Sequence, residues 1–370
     1  MQVGLDLSFR NRSFSGIGAY STSLAMALQA IDDLEIVPIA PGPSKILKRF
    51  GVRAERFAWE WAGSGLTSRR QGIDLLHMPF MAVPILAGVP VIATVHDVIP
   101  YVLPAYRQSW AMRLNLAVAR RRLRSAAAII TPSQHARTDV IDVLGIPADR
   151  IHVIAEAAGA AFHPSPDPEA GRAIRAKYQL GDRYIFNVGG FDERKNLPLL
   201  CRAFAALLPL LPFSVDLIIA GAPHSTNPNV FPPLEPVIAE LGIADRIRLP
   251  GRISETDKIA LLQHAAIYVS PSRYEGFGLT FLEAMACGAP VIGLRRTSIP
   301  EVIREAGILV EPEVESLAQA MRMLITEPEA AAHFRQLGID RAAGFSWAQA
   351  ADETAALYRD VLTKSAKGRN

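Results

Sequence analysis

Two glutamates, Glu275 and Glu283, bracket a glycine-rich and otherwise apolar stretch of the chain, SRYEGFGLTFLEAMACGAP (residues 272–290). Carboxylates around a stretch that otherwise has the composition of a buried segment need an explanation, because burying a charge is costly. The two could work as a catalytic acid and base, cap a helix, or bind the hydroxyl groups of a polyhydroxyl ligand.

The glycines of this stretch place the two glutamates in different local structures. Gly276 and Gly278 disfavour a helix at Glu275, which we therefore expect in the loop after a strand. Thr280 is a candidate N-cap, and Thr280-x-x-Glu283 fits a capping box. Glu283 is accordingly predicted in the first turn of a helix, where capping and ligand binding both remain open.

A second group of chemically active residues is cationic. The segment NVGGFDERKNLPLL (residues 187–200) is typical of a strand-to-helix junction, with Pro198 just inside the helix. Arg194 and Lys195 then lie at a helix N-terminus, where the helix dipole disfavours cations. A bound anion would remove that penalty, and two cations beside open backbone N–H groups suit a diphosphate. Simple surface placement is the alternative.

A third junction, SGIGAY (residues 15–20), follows the first predicted strand and opens a helix. A dinucleotide-binding fingerprint needs a further glycine where Ser21 stands, and an acidic residue after the second strand, where IVPIAPG offers none. These departures disfavour an NAD enzyme. Gly16 and Gly18 still leave backbone N–H groups available to a polar ligand, and a plain tight turn is the alternative.

The sequence lacks the motifs of several common classes of catalytic and metal site. The sequence contains no phosphate-binding loop of the G-x-x-x-x-G-K-[ST] type, no H-E-x-x-H, no Asp-x-Asp and no G-x-S-x-G. The two cysteines, Cys201 and Cys287, offer neither a disulfide framework nor metal spacing. We therefore predict chemistry without a metal or cofactor, in a reducing cytoplasm.

The elements that position these residues alternate between short apolar strands and helices through both halves of the chain, which predicts an α/β protein with two doubly wound parallel sheets. The proline-rich segment FHPSPDPEAG (residues 162–171) is the best boundary. We expect Rossmann-like domains at 1–165 and 166–351, with a C-terminal helix at about 352–370 that packs back on the first. Ligands should bind in the cleft beyond the carboxyl ends of the strands.

The charge is unevenly distributed. Residues 1–165 carry 17 Lys/Arg and 12 Asp/Glu, whereas the remainder carries 22 and 24. The excess concentrates in SKILKRFGVRAERF (44–57) and RLNLAVARRRLR (113–124). Such segments fit an anionic membrane surface, and solvated helix faces are the alternative. Neither segment interleaves aromatic residues with its basic ones, which disfavours nucleic acid. With no membrane span or signal peptide, we predict a cytoplasmic protein that binds the inner membrane face peripherally.

The motifs together resemble the retaining GT-B glycosyltransferases of family 4, the group 1 glycosyltransferases, and among these the mannosyltransferase-like members. YEGFGLTFLEAMACGAPVI is similar to the family's E-x7-E signature, with Glu275 and Glu283 as its two acids. The other matching segments, in chain order, are SGIGAYS, TVHDVIP, TPSQHARTDVIDVLGIPADRIHVI, VGGFDERKNLPLL, PGRISETDKIALLQHAAIYVSPS, SIPEVIREAGILV and FSWAQAADETAALY.

The resemblance implies a role for each matching residue. Arg194 and Lys195 would hold the donor diphosphate, Glu283 the ribose hydroxyls, and Glu275 the hydroxyls of the transferred sugar. His96 would lie close to the reacting sugar, and Asp97 would orient it or meet the acceptor. The implied catalytic residues are His96, Glu275, Arg194 and Lys195; the implied donor-binding residues are Gly16, Gly18, Arg252, Ile253, Phe277, Gly278, Leu279 and Glu283; Asp97 is on the acceptor side.

The implied reaction transfers a hexose, with mannose from GDP-mannose favoured, to a hydroxyl of a saccharide or polyprenyl-diphosphate-linked acceptor. Two departures from the family pattern stand out: Gly190 replaces a frequent arginine, and Glu156, Ala157 and Ala158 replace the usual Asn-Gly. The alternatives are another GT-B enzyme, such as a sugar-nucleotide epimerase or a sucrose-type synthase, and a non-catalytic sugar-nucleotide-binding protein.

Overall fold

The computed structural model describes residues 1–9, 16–41, 52–107, 109–165, 167–223 and 225–367. The chain divides into two compact units. The first consists of Met1–Glu156 together with Ser346–Asn370, and the second of Ala157–Phe345. Most of the basic segment at 44–57 lies outside the described residues.

The first unit is built on a six-stranded parallel sheet, in agreement with the predicted alternation of short apolar strands and helices. The strands are β1 (Gln2–Asp6), β2 (Glu35–Ile39), β3 (Leu75–Met78), β4 (Val91–Thr94), β5 (Ala128–Thr131) and β6 (Ile151–Val153). Their order is β2-β1-β3-β4-β5-β6, and every pairing is parallel. The central strands β3, β4 and β5 are buried along their whole length, because helices cover a parallel sheet on both faces.

The helices of the first unit lie between these strands and after the second unit. They are α1 (Gly16–Leu28), α2 (Val52–Ala58), α3 (Ser64–Gln71), α4 (Ile99–Val102), α5 (Trp110–Leu123), α6 (Gln134–Asp139) and α15 (Trp347–Lys367). The final helix, α15, packs against α1, and the buried side chains of Leu24, Leu28, Ala355 and Tyr358 join one core.

The second unit repeats the architecture with another six-stranded parallel sheet. Its strands are β7 (Tyr184–Val188), β8 (Asp216–Ala220), β9 (Ile247–Arg248), β10 (Ile267–Ser270), β11 (Val291–Leu294) and β12 (Ile308–Val310). Their order is β12-β11-β10-β7-β8-β9. This is the doubly wound order in which the winding direction reverses between β7 and β10, so their carboxyl ends open a crevice suited to a ligand.

The helices of the second unit cover both faces of that sheet. They are α7 (Pro168–Lys177), α8 (Leu197–Leu207), α9 (Glu235–Leu241), α10 (Glu255–His264), α11 (Leu279–Ala286), α12 (Ile299–Ile303), α13 (Val314–Thr326) and α14 (Pro328–Ala343). One face of the core joins α8 and α13 to the sheet through Leu200, Phe204, Leu317 and Met321, all fully buried.

The division between the units differs from the predicted positions. It lies after Glu156, so the proline-rich segment belongs to the second unit, where Pro168 occupies the first turn of α7 and the side chain of Asp167 accepts a hydrogen bond from the N–H of Glu169. Pro168 begins a helix, a use of proline that composition alone does not separate from a linker. At the other end, the return to the first unit begins at Ser346 and not near residue 352.

Candidate functional site

The predicted cations and Glu275 lie together at the switch point of the second sheet. Arg194 and Lys195 follow β7, and Glu275 follows β10, its neighbour in the sheet. Parallel strands end at the same edge, so residues 80 positions apart meet. The loop between Gly189 and Lys195 ends in a 3₁₀ turn at Glu193–Lys195, directly before α8. Arg194 and Lys195 therefore lie at the N-terminus of a helix, as the sequence predicts.

The contacts between these side chains form a compact ionic cluster. Lys195 Nζ donates to Glu275 Oε1 at 2.6 Å, and Arg194 Nη1 donates to Glu275 Oε2 at 2.8 Å. Arg194 is held further by Asp192, whose Oδ1 lies 2.9 Å from Nε, and by the carbonyl oxygen of Tyr274 at 3.2 Å. Both carboxylate oxygens of Glu275 therefore face a cation, and the guanidinium is fixed in orientation.

The charges of this cluster determine what Glu275 can do. Burial by itself raises the pKa of a carboxyl group, but Lys195 and Arg194 outweigh burial and lower the pKa of Glu275 to about 2. Glu275 is therefore a carboxylate at every physiological pH. Such a group accepts hydrogen bonds from hydroxyls and cannot serve as a proton donor.

The backbone of Glu275 is held by two neighbouring hydroxyl side chains. Thr297 Oγ1 accepts from the N–H of Glu275 at 3.0 Å, and Ser298 Oγ lies 2.8 Å from the carbonyl oxygens of both Glu275 and Phe277. Thr297 has a φ of 51°, a left-handed conformation that a β-branched residue rarely adopts. Strain of this kind persists where the surroundings fix the residue, which is consistent with a site that must hold its shape.

The capping-box prediction for Glu283 is wrong. Helix α11 begins at Leu279, its N-cap is Gly278 with a φ of 104°, and Thr280 lies inside the helix. Glu283 is in the second turn and is buried, with its Oε1 accepting from Lys258 Nζ at 2.8 Å. The positive φ of Gly278 lets the helix start two residues earlier than the Thr280 pattern indicates.

The other predicted donor-binding residues of the second unit lie in two loops. Phe277, Gly278 and Leu279 form the turn from Glu275 into α11, so they follow the ionic cluster directly. Arg252 and Ile253 lie between β9 and α10; the Arg252 side chain is exposed and that of Ile253 half-buried. Strand β9 is at the edge of the sheet, and two strands, β7 and β8, separate it from β10.

In the first unit, His96 follows β4 and is half-buried. Its Nδ1 lies 2.8 Å from Glu156 Oε1, and its Nε2 lies 3.0 Å from the carbonyl oxygen of Pro79. Asp97 Oδ1 accepts from the N–H of Ile99 at 3.0 Å, at the start of α4. The imidazole therefore forms hydrogen bonds with Glu156 and Pro79, whereas the Asp97 carboxylate holds the backbone.

The glycines after β1 lie at the start of α1. Gly16 is the first residue of that helix and is exposed, whereas Gly18 is buried in its first turn. Residues 10–15, which precede Gly16, lie outside the described residues.

Three residues of these sites are not identified from the sequence: Asp192, which holds Arg194; Lys258, which pairs with Glu283; and Glu156 as the partner of His96. The position of Asp192, two residues before Arg194 in the same loop, could have identified it from the sequence. No feature of the sequence distinguishes Lys258 from other helical lysines. Glu156 follows β6 at the same edge of the sheet as His96, so strand order is needed to pair them.

Within the described ranges, no group of three or more His, Cys, Asp or Glu side chains is arranged to hold a metal ion. Among the helices of those same residues, none is both long enough and apolar enough to cross a membrane.

Comparison with known proteins gives matches over both halves of the chain. The model "Glycosyltransferase Family 4" matches residues 15–157, and "Glycosyl transferases group 1" matches residues 172–341. The chain is similar to O-antigen chain mannosyltransferase B of Escherichia coli, with 29% identity over 72% of this chain and 70% of that protein. It is also similar to the MMP alpha-(1->4)-mannosyltransferase of Mycolicibacterium hassiacum, with 27% identity over 86% of this chain and 76% of that protein.

Among solved structures, the fold is similar to that of Anabaena HepE in complex with UDP and glucose. The TM-score is 0.75 at 19% sequence identity, and the match covers 97% of this chain and 99% of HepE. At this identity, the likeness concerns the fold.

Proposed function

The chain belongs to the group 1, family 4 glycosyltransferases and has their GT-B fold, and from this premise we propose that it is a retaining hexosyltransferase. The proposed donor is a nucleoside-diphosphate sugar, with GDP-mannose favoured. The proposed acceptor is a hydroxyl of a saccharide or of a lipid-linked saccharide. The similarity to two mannosyltransferases supports the choice of mannose.

The observation that carries this proposal is the ionic cluster at the switch point of the second sheet. A leaving diphosphate develops negative charge, and buried, oriented cations stabilise that charge without reorganising. Lys195 uses one of its three N–H groups on Glu275, which leaves donors for phosphate oxygens. Arg194 adds a guanidinium fixed by Asp192. With this charge supplied by side chains, we propose transfer without a metal ion, so that excess EDTA leaves the rate unchanged.

The proposed mechanism uses Glu275 to position the sugar. A glycosidase needs two carboxyl groups that flank the bond, one of them protonated. Glu275 is ionised and held by two cations, and Glu283 is held by Lys258, so neither is suited to proton donation. Glu275 would bind sugar hydroxyls and Glu283 ribose hydroxyls. The acceptor would then attack on the face that the diphosphate leaves, which retains the anomeric configuration.

We propose that helix α5 brings the protein to an anionic membrane surface. Its outer face carries Trp110 and Leu114, which are 77% and 57% exposed. Arg113 and Arg121 are exposed on the same face at helical spacing, whereas Ala119 and Leu123 on the opposite face are buried. An exposed tryptophan beside arginines is typical of helices that lie at the membrane interface.

The experiment that tests the function is a donor screen followed by product analysis. A thermal-shift comparison of GDP-mannose, UDP-glucose, UDP-GlcNAc and dTDP-rhamnose identifies the donor, and we expect GDP-mannose to raise the melting temperature most. Transfer predicts that nucleoside diphosphate appears when a mannoside acceptor is added, with an α-linked product. Release of nucleoside diphosphate and an epimerised sugar without acceptor would contradict transfer, and stabilisation without turnover would indicate a binding protein.

A further inference from the structure

Both ring nitrogens of His96 lie within hydrogen-bond distance of oxygen atoms. Nδ1 lies 2.8 Å from Glu156 Oε1, and Nε2 lies 3.0 Å from the carbonyl oxygen of Pro79. Glu156 is only 5% exposed. The two residues follow β4 and β6, which flank β5, so their meeting is a consequence of the strand order.

The chemistry of these two partners determines how many protons the imidazole ring must carry to form a hydrogen bond with each of them. A backbone carbonyl and a carboxylate only accept hydrogen bonds, whereas a neutral imidazole has one donor and one acceptor nitrogen. Neutral His96 beside ionised Glu156 would set a ring lone pair against an oxygen lone pair, a buried contact with no hydrogen. Both bonds form when the ring carries two protons.

His77, a buried histidine of the same unit, shows the contrasting case. His77 Nδ1 lies 2.6 Å from the Tyr358 hydroxyl, and His77 Nε2 lies 2.8 Å from the Thr94 hydroxyl. Hydroxyls both donate and accept, so a neutral ring is satisfied there. Burial lowers the pKa of His77 to about 3, and this ring therefore adds no positive charge near His96.

The other groups around His96 favour a cation. The ring of Tyr20 packs edge-to-face against it, with centroids 4.6 Å apart, and Asp97 is the adjacent residue in the chain. Burial by itself lowers the pKa of His96, but Glu156, the Pro79 carbonyl and Asp97 together raise the pKa above its ordinary value.

We propose that Glu156 is a positioning residue that keeps His96 as an imidazolium, so that His96 acts on the sugar nucleotide as a cationic hydrogen-bond donor and not as a general base. The use of this cation rests on the proposed function, whereas the protonation state does not. When the donor is bound, the Nε2–H that now faces Pro79 is available to an oxygen of the sugar or its diphosphate. Glu156, which departs from the usual family sequence at this position, then has a chemical role.

The protonation state is tested by ¹⁵N-detected NMR of the histidine side chains, with His96→Gln to assign the signal. In the wild-type protein at pH 7, we expect His96 to show the two equivalent protonated nitrogens of an imidazolium. In Glu156→Gln, the pKa of His96 should fall by at least one pH unit. Glu156→Asp keeps the carboxylate and should retain most of the increase in the pKa of His96. This variant replaces Glu156→Gln in the comparison if the glutamine variant folds poorly. A neutral ring in the wild type at pH 7 would overturn the proposal.

The role in catalysis is tested by the pH profile of kcat with the donor from the screen. Activity of the wild type should persist to a higher pH than activity of Glu156→Gln, whose loss with rising pH should begin at least one unit earlier. Glu353→Gln is the control, because Glu353 is exposed on α15 and accepts a hydrogen bond from the side chain of Gln349 in the same helix. An unshifted profile in Glu156→Gln would refute a role for the imidazolium in turnover. If neither the wild type nor any variant transfers sugar, the proposed function is wrong. The NMR titration then still determines the charge of His96.

Discussion

At the scale of single residues, the candidate site holds a buried lysine and a half-buried arginine, each beside a carboxylate. Lys195 is 6% exposed and would be costly to bury alone. Glu275 compensates its charge, and Asp192 does the same for Arg194. The carboxylates therefore hold both cations in a fixed orientation.

Replacing Lys195 by alanine should lower the rate of transfer by at least tenfold. The variant loses a cation beside the proposed leaving group, and tenfold corresponds to about 1.4 kcal/mol of transition-state stabilisation. Initial rates at saturating donor measure the effect. Lys177→Ala is the control, because Lys177 forms an exposed ion pair with Asp257 at 2.8 Å. Equal rates for both variants would exclude Lys195 from charge stabilisation.

The acid stability of the second unit should depend on Glu275. Its pKa is lower in the folded protein than in the unfolded chain, so its stabilising contribution is complete above the ordinary glutamate pKa and is lost as the pH falls toward 2. Melting temperatures between pH 7 and pH 2 should fall more steeply for the wild type than for Glu275→Gln, which starts lower. The control is Glu169→Gln, since Glu169 forms an exposed pair with Arg172. Parallel curves for the wild type and Glu275→Gln would contradict this assignment.

At the scale of elements, the loops after β7, β8 and β9 are packed directly on one another. Gly189 N–H donates to the Ala220 carbonyl at 3.0 Å, and Gly221 N–H donates to the Gly251 carbonyl at 2.8 Å. A β-carbon at Gly221 would overlap the carbonyl oxygen of Gly189. The backbone that leads to Arg194 therefore takes its path from contacts with the neighbouring loops.

Replacing Gly221 by alanine should destabilise the second unit by about 3 kcal/mol or more, because the new methyl group meets backbone that cannot rotate away. Gly242→Ala is the matched control: Gly242 also has a positive φ, 66°, but a β-carbon there meets nothing within 4 Å. It should cost only about 1–2 kcal/mol of left-handed strain. Urea midpoints and transfer rates compare the two, and equal losses would show that the packing of the loops is unimportant.

At the scale of the whole molecule, the proposal that the first unit binds a membrane surface draws on the uneven distribution of charge and of exposed apolar side chains. Its helix α5 combines arginines with Trp110 and Leu114, whereas the chain beyond residue 165 carries more acidic than basic residues. Partition of aromatic and aliphatic side chains into the interface adds to the attraction between arginines and anionic lipids.

Binding to vesicles that contain phosphatidylglycerol should be measurable by co-sedimentation and absent with neutral phosphatidylcholine. Trp110→Ser and the double variant Arg113→Glu/Arg121→Glu should each weaken it at least fivefold, and high salt should weaken it further because it screens the charges. Arg172→Glu, an exposed charge reversal in the second unit, is the control and should bind like the wild type. Equal binding to both kinds of vesicle would contradict the proposed surface.

Local sequence determined much of this protein. The alternation of short apolar strands and helices predicted the two parallel sheets that the described residues form. The glycines around Glu275 excluded a helix there, and Pro198 placed Arg194 and Lys195 before α8. These features depend on backbone preferences and on side-chain periodicity, which act over a few residues. The capping pattern at Thr280 is also local, but it failed because the positive φ of Gly278 allows α11 to start earlier.

Tertiary structure alone decided which charges meet. Glu275 pairs with Arg194 and Lys195 because β10 lies beside β7; Glu283 pairs with Lys258 because α10 and α11 are neighbours; and His96 pairs with Glu156 because β5 separates their strands by one position. Strand order results from the packing of the whole unit, and no short segment encodes it. The sequence therefore identified Arg194, Lys195, Glu275, Glu283 and His96. The tertiary structure assigned most of their partners, among them Lys258 and Glu156.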